Sequence, residues 1–321
     1  MMANHFFKDI AFFVFKFLFF LTPVSAEEVR LFSIGSGDIS GNYYSVARAI
    51  CDAFNDYDDT RRRCSPEPTA GSIYNLKMLE SGELDFVLVQ SDWQKAAYEG
   101  SKPFTDAAAM DDLRTVMWLY PETVTVIAAP ASGIRTGSDL AGKVVDIGLP
   151  ASGRNATFQS LMERFGINED VFGELRQLEP SDSIKDLCSG KIDAAIFVVG
   201  HPNRLVSQAL NACNASIADF SGPRIQRVLS RSADYQKSII DRDIYGPLSE
   251  NVETVSVMAT LVTRGSMDSA LVSDLVAAIR KDVGRLKAAL PVLGALDEYL
   301  DKPAGMVVPM HPGAIAERQQ E

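Results

Sequence analysis

From residue 29 onward, short apolar runs alternate with segments whose apolar residues recur every three or four positions. Period-free apolar runs bounded by Gly or Pro predict buried strands, and the three- and four-residue steps predict amphipathic helices. Residues 29–34 are strand-like and enter the loop Gly35-Ser36-Gly37-Asp38-Ile39-Ser40-Gly41-Asn42. A helix follows, with Tyr43, Val46, Ala47, Ile50 and Phe54 on one face. Ser72 reads as the N-cap of a second helix carrying Ile73, Leu76 and Leu79, stopped by Gly82. Residues 84–89 form a strand, Ser91 opens a helix ending at Gly100, residues 101–112 read as a loop, and two strand-like runs flank Pro121.

The pattern then restarts. A strand over 143–147 runs into Gly148-Leu149-Pro150-Ala151-Ser152-Gly153, and a helix with Phe158, Leu161, Met162 and Phe165 follows. Residues 182–188 are helical and 192–199 a strand. The segments Leu79–Asp85 and Leu187–Asp193 share the form L-x-S-G-x-(L/I)-D, each ahead of an apolar strand. Gly41 and Gly153 are offset by a similar distance, about 110 residues, so the chain predicts two lobes of one design. Residues 254–262 are a long apolar run suited to crossing between lobes. Residues 268–290 read as one amphipathic helix packing back on the first lobe, and 309–314 as turn-forming.

The first residues add a compartment. Lys8 precedes an apolar run over 10–21, broken by Lys16, and then come Thr22-Pro23 and Val24-Ser25-Ala26. A basic start, a short apolar core and small residues at the A-x-A-like positions predict a signal peptide over 1–26, cleaved after Ala26. The expected organisation is lobe I over 27–123, lobe II over 124–255, and 256–321 returning to lobe I, since so long a chain exceeds one ordinary core. With 31 basic against 42 acidic residues the net charge is −11. That balance, with no basic stripe, argues against a nucleic-acid partner.

An exported chain with an even number of cysteines predicts disulfides. Cys51, Cys64, Cys188 and Cys213 can pair in any of three ways. Cys51–Cys64 and Cys188–Cys213 are favoured because each ties a helix to the connection beside it. A metal site is the rival, but no C-x-x-C pair and no nearby histidines support one.

The two small-residue loops end strands and open helices, where free backbone N–H groups and partial positive charge favour anions. Ser36, Gly37, Ser40, Gly41 and Asn42 in the first loop, and Ser152, Gly153, Arg154 and Asn155 in the second, are therefore candidate ligand residues. Arg154 could pair a ligand carboxylate bidentately. Tyr43 and Tyr120 offer a ring and a hydroxyl, and Ser72, Gln90 and Ser91 lie at further strand–helix junctions, where open α/β sheets bind ligands. The glycine spacing fits neither G-x-G-x-x-G nor a P-loop. Beyond residue 30 only His201 and His311 are histidines, and G-x-S-x-G and H-E-x-x-H are missing. A binding protein without catalytic residues, metal or cofactor is expected, functioning as a monomer.

The chain resembles the TAXI-type solute receptors of TRAP transporters over nearly all of the segment following the leader. The resemblance is carried by residues 35–44 ending in Tyr43-Tyr44, by Ala70-Gly71-Ser72-Ile73-Tyr74-Asn75-Leu76, and by Val89-Gln90-Ser91-Asp92. Leu119-Tyr120-Pro121-Glu122, Ser152-Gly153 and His311-Pro312-Gly313-Ala314 complete it. It implies a type II periplasmic-binding-protein fold, a small carboxylate ligand (a glutamate-like amino acid or a C4/C5 organic acid), and a TRAP permease in the inner membrane as partner. Asp38, Asn42 and Arg154 depart from that family's usual pattern, and Asp38 could select an amino group.

Overall fold

The computed structural model describes residues 29–105, 108–246, 248, 250–300 and 307–318. The expected leader, 1–26, lies outside the described residues. The first half runs β1 (Arg30–Gly35), α1 (Asn42–Tyr57), β2 (Arg62–Glu67), α2 (Ser72–Ser81), β3 (Phe86–Gln90) and α3 (Ser91–Glu99) into the long strand β4 (Leu113–Ala128). The second half runs β5 (Val144–Asp146), α4 (Gly153–Phe165), β6 (Glu174–Arg176), α5 (Pro180–Cys188), β7 (Ala194–Val199), α6 (Arg204–Cys213), β8 (Ser216–Ala218), α7 (Pro223–Arg231) and β9 (Gln236–Ile240). The return strand β10 (Val252–Arg264) leads to α8 (Ser269–Lys281), α9 (Val283–Ala289), α10 (Leu296–Leu300) and α11 (Pro312–Arg318).

The sheet order is β2-β1-β3-β10-β4-β7-β5-β6, with β8 on β4 and β9 on β10. Each lobe repeats one parallel unit: β1 lies between β2 and β3, and β5 between β6 and β7. The shared motif explains part of this likeness. Gly82 and Gly190 both take left-handed φ, +82° and +72°, which suits glycine as it ends a helix. The aspartates three residues later then accept backbone N–H groups of the neighbouring strand, Ser33 N to Asp85 at 2.9 Å and Val144 N to Asp193 at 2.8 Å.

Helices cover both faces of the inner strands β3, β5 and β7, which is why these read as unbroken apolar runs, whereas the edge strands β2 and β6 are polar and partly exposed. The period of two survives in which core each residue joins. Phe86 and Leu88 face the core under α1 and α8, whereas Val87 and Val89 face α2 and α3. Ala194, Ile196 and Val198 pack with Phe158 and Leu161 of α4, and Ala195 and Phe197 with Ile184 and Val206 of α5 and α6.

Two strands belong to both lobes. β4 pairs with β10 over its first half and with β7 from Thr123 to Ala128; β10 pairs with β9 over Val252–Ser256 and with β3 over Ala259–Thr263. The sequence suggested two runs flanking Pro121, but the strand continues through it. Pro121 stands opposite Met258, two residues short of the β7 ladder. The single helix expected over 268–290 is two, broken at Asp282, and the 309–314 tail starts a helix at Pro312. Ser72 is the first helical residue and not the cap, since Gly71 (φ +102°) takes the cap position.

Both favoured disulfides are formed: Cys51–Cys64 joins α1 to β2, and Cys188–Cys213 joins the ends of α5 and α6. Among the described residues no helix is long and apolar enough to cross a membrane, and no His/Cys/Asp/Glu cluster could hold a metal ion.

Candidate functional site

The two small-residue loops face each other across a cleft of about 140 Å³ between the lobes. Gly41, Gly71 and Ser152, the caps of α1, α2 and α4, all line it. Neither Gly41 nor Gly71 supplies a side-chain cap, so the first turns of α1 and α2 present backbone amides without one. Ser152 does cap α4, accepting from Asn155 N at 3.2 Å. The larger cavities along α3, about 310 and 430 Å³, share Lys95 and Asp234, which already pair with each other at 2.8 Å.

The lobes are closed. The Asn42 amide donates to Gly200 O at 2.8 Å, Trp93 Nε1 to Gly153 O at 3.2 Å, and Gln90 Nε2 to Thr157 Oγ1 at 3.1 Å. The missing side chain of Gly153 makes room for this approach. A Cβ there would sit 1.8 Å from Gln90 Oε1 and 2.8 Å from Ser72 Oγ, both across the cleft.

Of the residues expected from the sequence, Gly37, Gly41, Asn42, Tyr43, Gln90, Ser152, Gly153 and Arg154 line the cleft together. The others sit behind it. Ser36 is fully buried and donates to Glu67 O at 2.7 Å; Ser40 donates to Asp38. Ser72 accepts from Gln90 N at 3.2 Å, Ser91 from Met258 N at 3.0 Å, and Asn155 donates to Gly148 O at 3.0 Å. Tyr120 is buried beneath Gly200, with its hydroxyl unpartnered. Ser36, Ser72 and Ser91 tie neighbouring backbone segments together, and Ser40 and Asn155 close local turns beside helix starts.

Arg154 is the cation of the cleft, and its side chain is 9% exposed. Its Nη2 donates to Asp146 and, at 3.1 Å, to Ser183 Oγ; the guanidinium lies 4.4 Å over the Phe197 ring. Asp146 is itself held by Gly148 N at 3.2 Å and Leu178 N at 2.9 Å. The other terminal nitrogen, Nη1, is buried without a partner. Burial lowers the Arg154 pKa while Asp146 opposes the shift.

Sequence reading missed Glu122, Phe197 and Asn203, which also line the cleft. Glu122 accepts from Tyr43 OH at 2.7 Å, and burial, aided by Asp92, pushes its pKa up to about 8. The Tyr43 hydroxyl is raised by its own burial and by Glu122. Glu122 could have been noticed as the one acid in the otherwise acid-free strand β4; Phe197 carries no signal beyond that of a core residue. Behind the cleft, His201 bonds Thr123 and Thr125 through Nε2 and Tyr245 through Nδ1, and burial holds its pKa down to about 4.

Solved structures share this architecture. The periplasmic binding protein BugD matches with a TM-score of 0.55 at 10% identity, over 83% of this chain and 87% of that one. An ancestral arginine-binding protein bound to arginine gives 0.50 at 13%, over 83% and 99%. The effector-binding domain of a BenM variant gives 0.50 at 11%, over 81% and 95%. At these identities the likeness establishes the type II periplasmic-binding-protein fold, two α/β lobes around a cleft joined by hinge strands. The family is given by sequence: residues 34–316 match the model of the NMT1-like family, and the chain belongs to that family.

Proposed function

We propose that this protein is a periplasmic solute-binding receptor that captures a small carboxylate, an amino acid or a C4/C5 organic acid, by lobe closure and delivers it to a TRAP-type secondary transporter. The observation that carries this reading is Arg154, whose Nη1 is buried and unpartnered at a cleft between two lobes. A buried donor without a partner costs about 1–3 kcal/mol, and a charge-assisted bond to an anion would recover it. The helix starts at Gly41 and Gly71, which lack a side-chain cap, supply further backbone donors, apart from Tyr74 N, which reaches Ala151 O at 3.3 Å. The cleft lining holds no histidine or cysteine, which favours binding over catalysis.

In this reading lobe I is 27–123 with 256–321 and lobe II is 124–255. What supports this division is that residues 32–120 share cores with 259–314, while residues 124–257 pack in two others. The hinges are β4 near Pro121–Thr123 and β10 near Ser256–Met258, where the ladder partners change. The leader is cleaved after Ala26, so N-terminal sequencing of the periplasmic protein should begin at Glu27. The closed form is what a permease recognises, and the TAXI-like motifs favour a TRAP permease as the recipient.

A thermal-shift screen against amino acids, oxo acids, dicarboxylates and alkanesulfonates tests the ligand class. A ligand at a hundredfold excess over its Kd adds about 2.7 kcal/mol, a shift of several degrees. A shift with carboxylates supports the reading, and one confined to sulfonates overturns it. Uptake into proteoliposomes bearing a TRAP permease, compared with an ABC importer, tests the delivery step.

A further inference from the structure

The same cleft holds an acid that no cation among the described residues satisfies. Glu122 stands on β4 where the strand passes between lobes, lines the cleft and is 4% exposed. It accepts from Tyr43 OH, and the groups acting on its charge are Tyr43 and Asp92, neither of them a cation. Tyr120, the other buried phenol here, lies close enough to feel the Glu122 charge and also lacks a positive group. Among the charged residues of the lining, Asp38, Glu122 and Glu179 stand against Arg154 alone, and Asp146 already engages Arg154 through Nη2. The cleft lining thus has one cation, Arg154, whose buried Nη1 lacks a partner, and, separately, a buried carboxyl without a counter-ion among the described residues.

Resting on the carboxylate reading above, we infer that the ligand carries a cationic amino group beside its carboxylate, with Arg154 taking the carboxylate and Glu122 the ammonium. A buried charge is tolerated when it is paired and hydrogen-bonded. An ammonium supplies both to Glu122, whose hydroxyl partner Tyr43 is already in place. An oxo group or a second ligand carboxylate there could only share the proton that Glu122 holds and would bring no cation to the pair. Amino acids are therefore preferred over the oxo acids and dicarboxylates of the same length.

Glu122 is buried enough to hold a proton near neutral pH, and an arriving ammonium displaces it. The balance is simple: protonated Glu122 and the ligand ammonium give the carboxylate–ammonium pair plus one proton released to solvent. Binding of an amino acid below about pH 8 then releases up to about one proton, and binding of an oxo acid does not.

Calorimetric titration of the purified protein with L-glutamate against 2-oxoglutarate and L-alanine against pyruvate, in two buffers of different ionisation enthalpy, tests this. The expected result is at least tenfold tighter binding of the amino member of whichever pair binds, with proton release confined to it. Glu122→Gln should remove that preference, while Arg154→Ala weakens both members. Oxo acids binding as tightly as amino acids, or a preference unchanged in Glu122→Gln, would overturn the inference and leave the carboxylate reading standing. Failure of carboxylates of every kind while sulfonates bind would overturn both. The proton count is read on the native protein, so the test holds even if the variant folds poorly.

Discussion

The side-chain amide of Asn42, at the start of α1, donates to the carbonyl of Gly200 at the end of β7, 2.8 Å away across the cleft. Asn203 adds a longer bond back to Asn42 Oδ1 at 3.3 Å. These contacts exist only when the lobes are closed, so they stabilise the closed form rather than either lobe. Neutral hydrogen bonds contribute about 0.5–1.5 kcal/mol each. Asn42→Ala should therefore weaken ligand binding by about 1–2 kcal/mol, roughly five- to thirtyfold. Thermal stability without ligand should stay within a few degrees. Calorimetry with the ligand found by screening, alongside a melting curve, checks both halves.

Gly200 also sets how near the lobes come. A Cβ there would lie 2.5 Å from Tyr120 Cδ2 and 2.5 Å from Val292 Cγ2, on a ring and a branched side chain that are both packed. Gly200→Ala is expected to wedge the lobes apart. Small-angle scattering with saturating ligand should give a larger radius of gyration than the wild type, and affinity should fall at least tenfold, because closure is driven by the contacts it makes. Unchanged dimensions would mean that the hinge absorbs the methyl group.

How far the sequence led depends on what each residue does locally. The L-x-S-G-x-(L/I)-D repeat was legible because it closes on itself: a left-handed glycine ends the helix, and Asp85 or Asp193 pins the neighbouring strand. The loops at Gly41 and Gly153 were legible for the same reason, since a ligand or facing backbone needs room. Which polar side chain turns into the cleft was not. Ser36 and Ser152 look alike in sequence, yet one is buried on Glu67 and the other lines the cleft. Phe197 faces Arg154 rather than only the core, and that follows from the placement of β7 beside β5. The strand β4 hid its continuity because Pro121 signals a break that the handover between lobes accommodates, whereas β10, with no such residue, was legible as one run crossing between lobes.

The two disulfides act on separate lobes and should be separable. Cys51–Cys64 closes a short loop, with a sequence separation of 13, and Cys188–Cys213 a longer one of 25. Loop-closure entropy gives about 3 kcal/mol for each, a little more for the longer. Replacing either pair by serine is expected to lower Tm by roughly 6–10 °C, with the double replacement close to additive because the sites are far apart in the fold. Differential scanning calorimetry of the three variants measures this.

Stability should depend on pH through three buried groups. His201 has a folded pKa of about 4 against an ordinary 6.5, so the unfolded chain binds more protons between these values. Its contribution is complete above 6.5 and is lost as pH falls through 4. Glu122, at about 8 against 4.5, and Asp92, at about 7 against 3.8, act in the other direction. Their contributions are complete below the ordinary values and are lost as pH rises through about 7 and 8. Each group can add a slope of up to about 1.4 kcal/mol per pH unit. Urea denaturation from pH 4 to 9 should show Glu122→Gln flattening the decline between about 4.5 and 8, and His201→Gln flattening the change between 4 and 6.5.

Arg154 and Asp146 offer the sharpest separation of folding from binding. Asp146 is fully buried, and Arg154 supplies its only positive partner among the described residues. Arg154→Met should cost about 3–5 kcal/mol, because it leaves a buried carboxylate without its counter-charge. Asp146→Asn in the same chain removes that charge but keeps an oxygen for the amides of Gly148 and Leu178, so the double variant should recover most of the loss. Binding follows a different course, since Nη1 is the donor left for a ligand and no change at position 146 restores it. The double variant is expected to fold nearly as well as the wild type by urea denaturation and to bind no carboxylate by calorimetry. If it binds, the ligand is held by the helix starts at Gly41 and Gly71 alone, and Arg154 serves the fold.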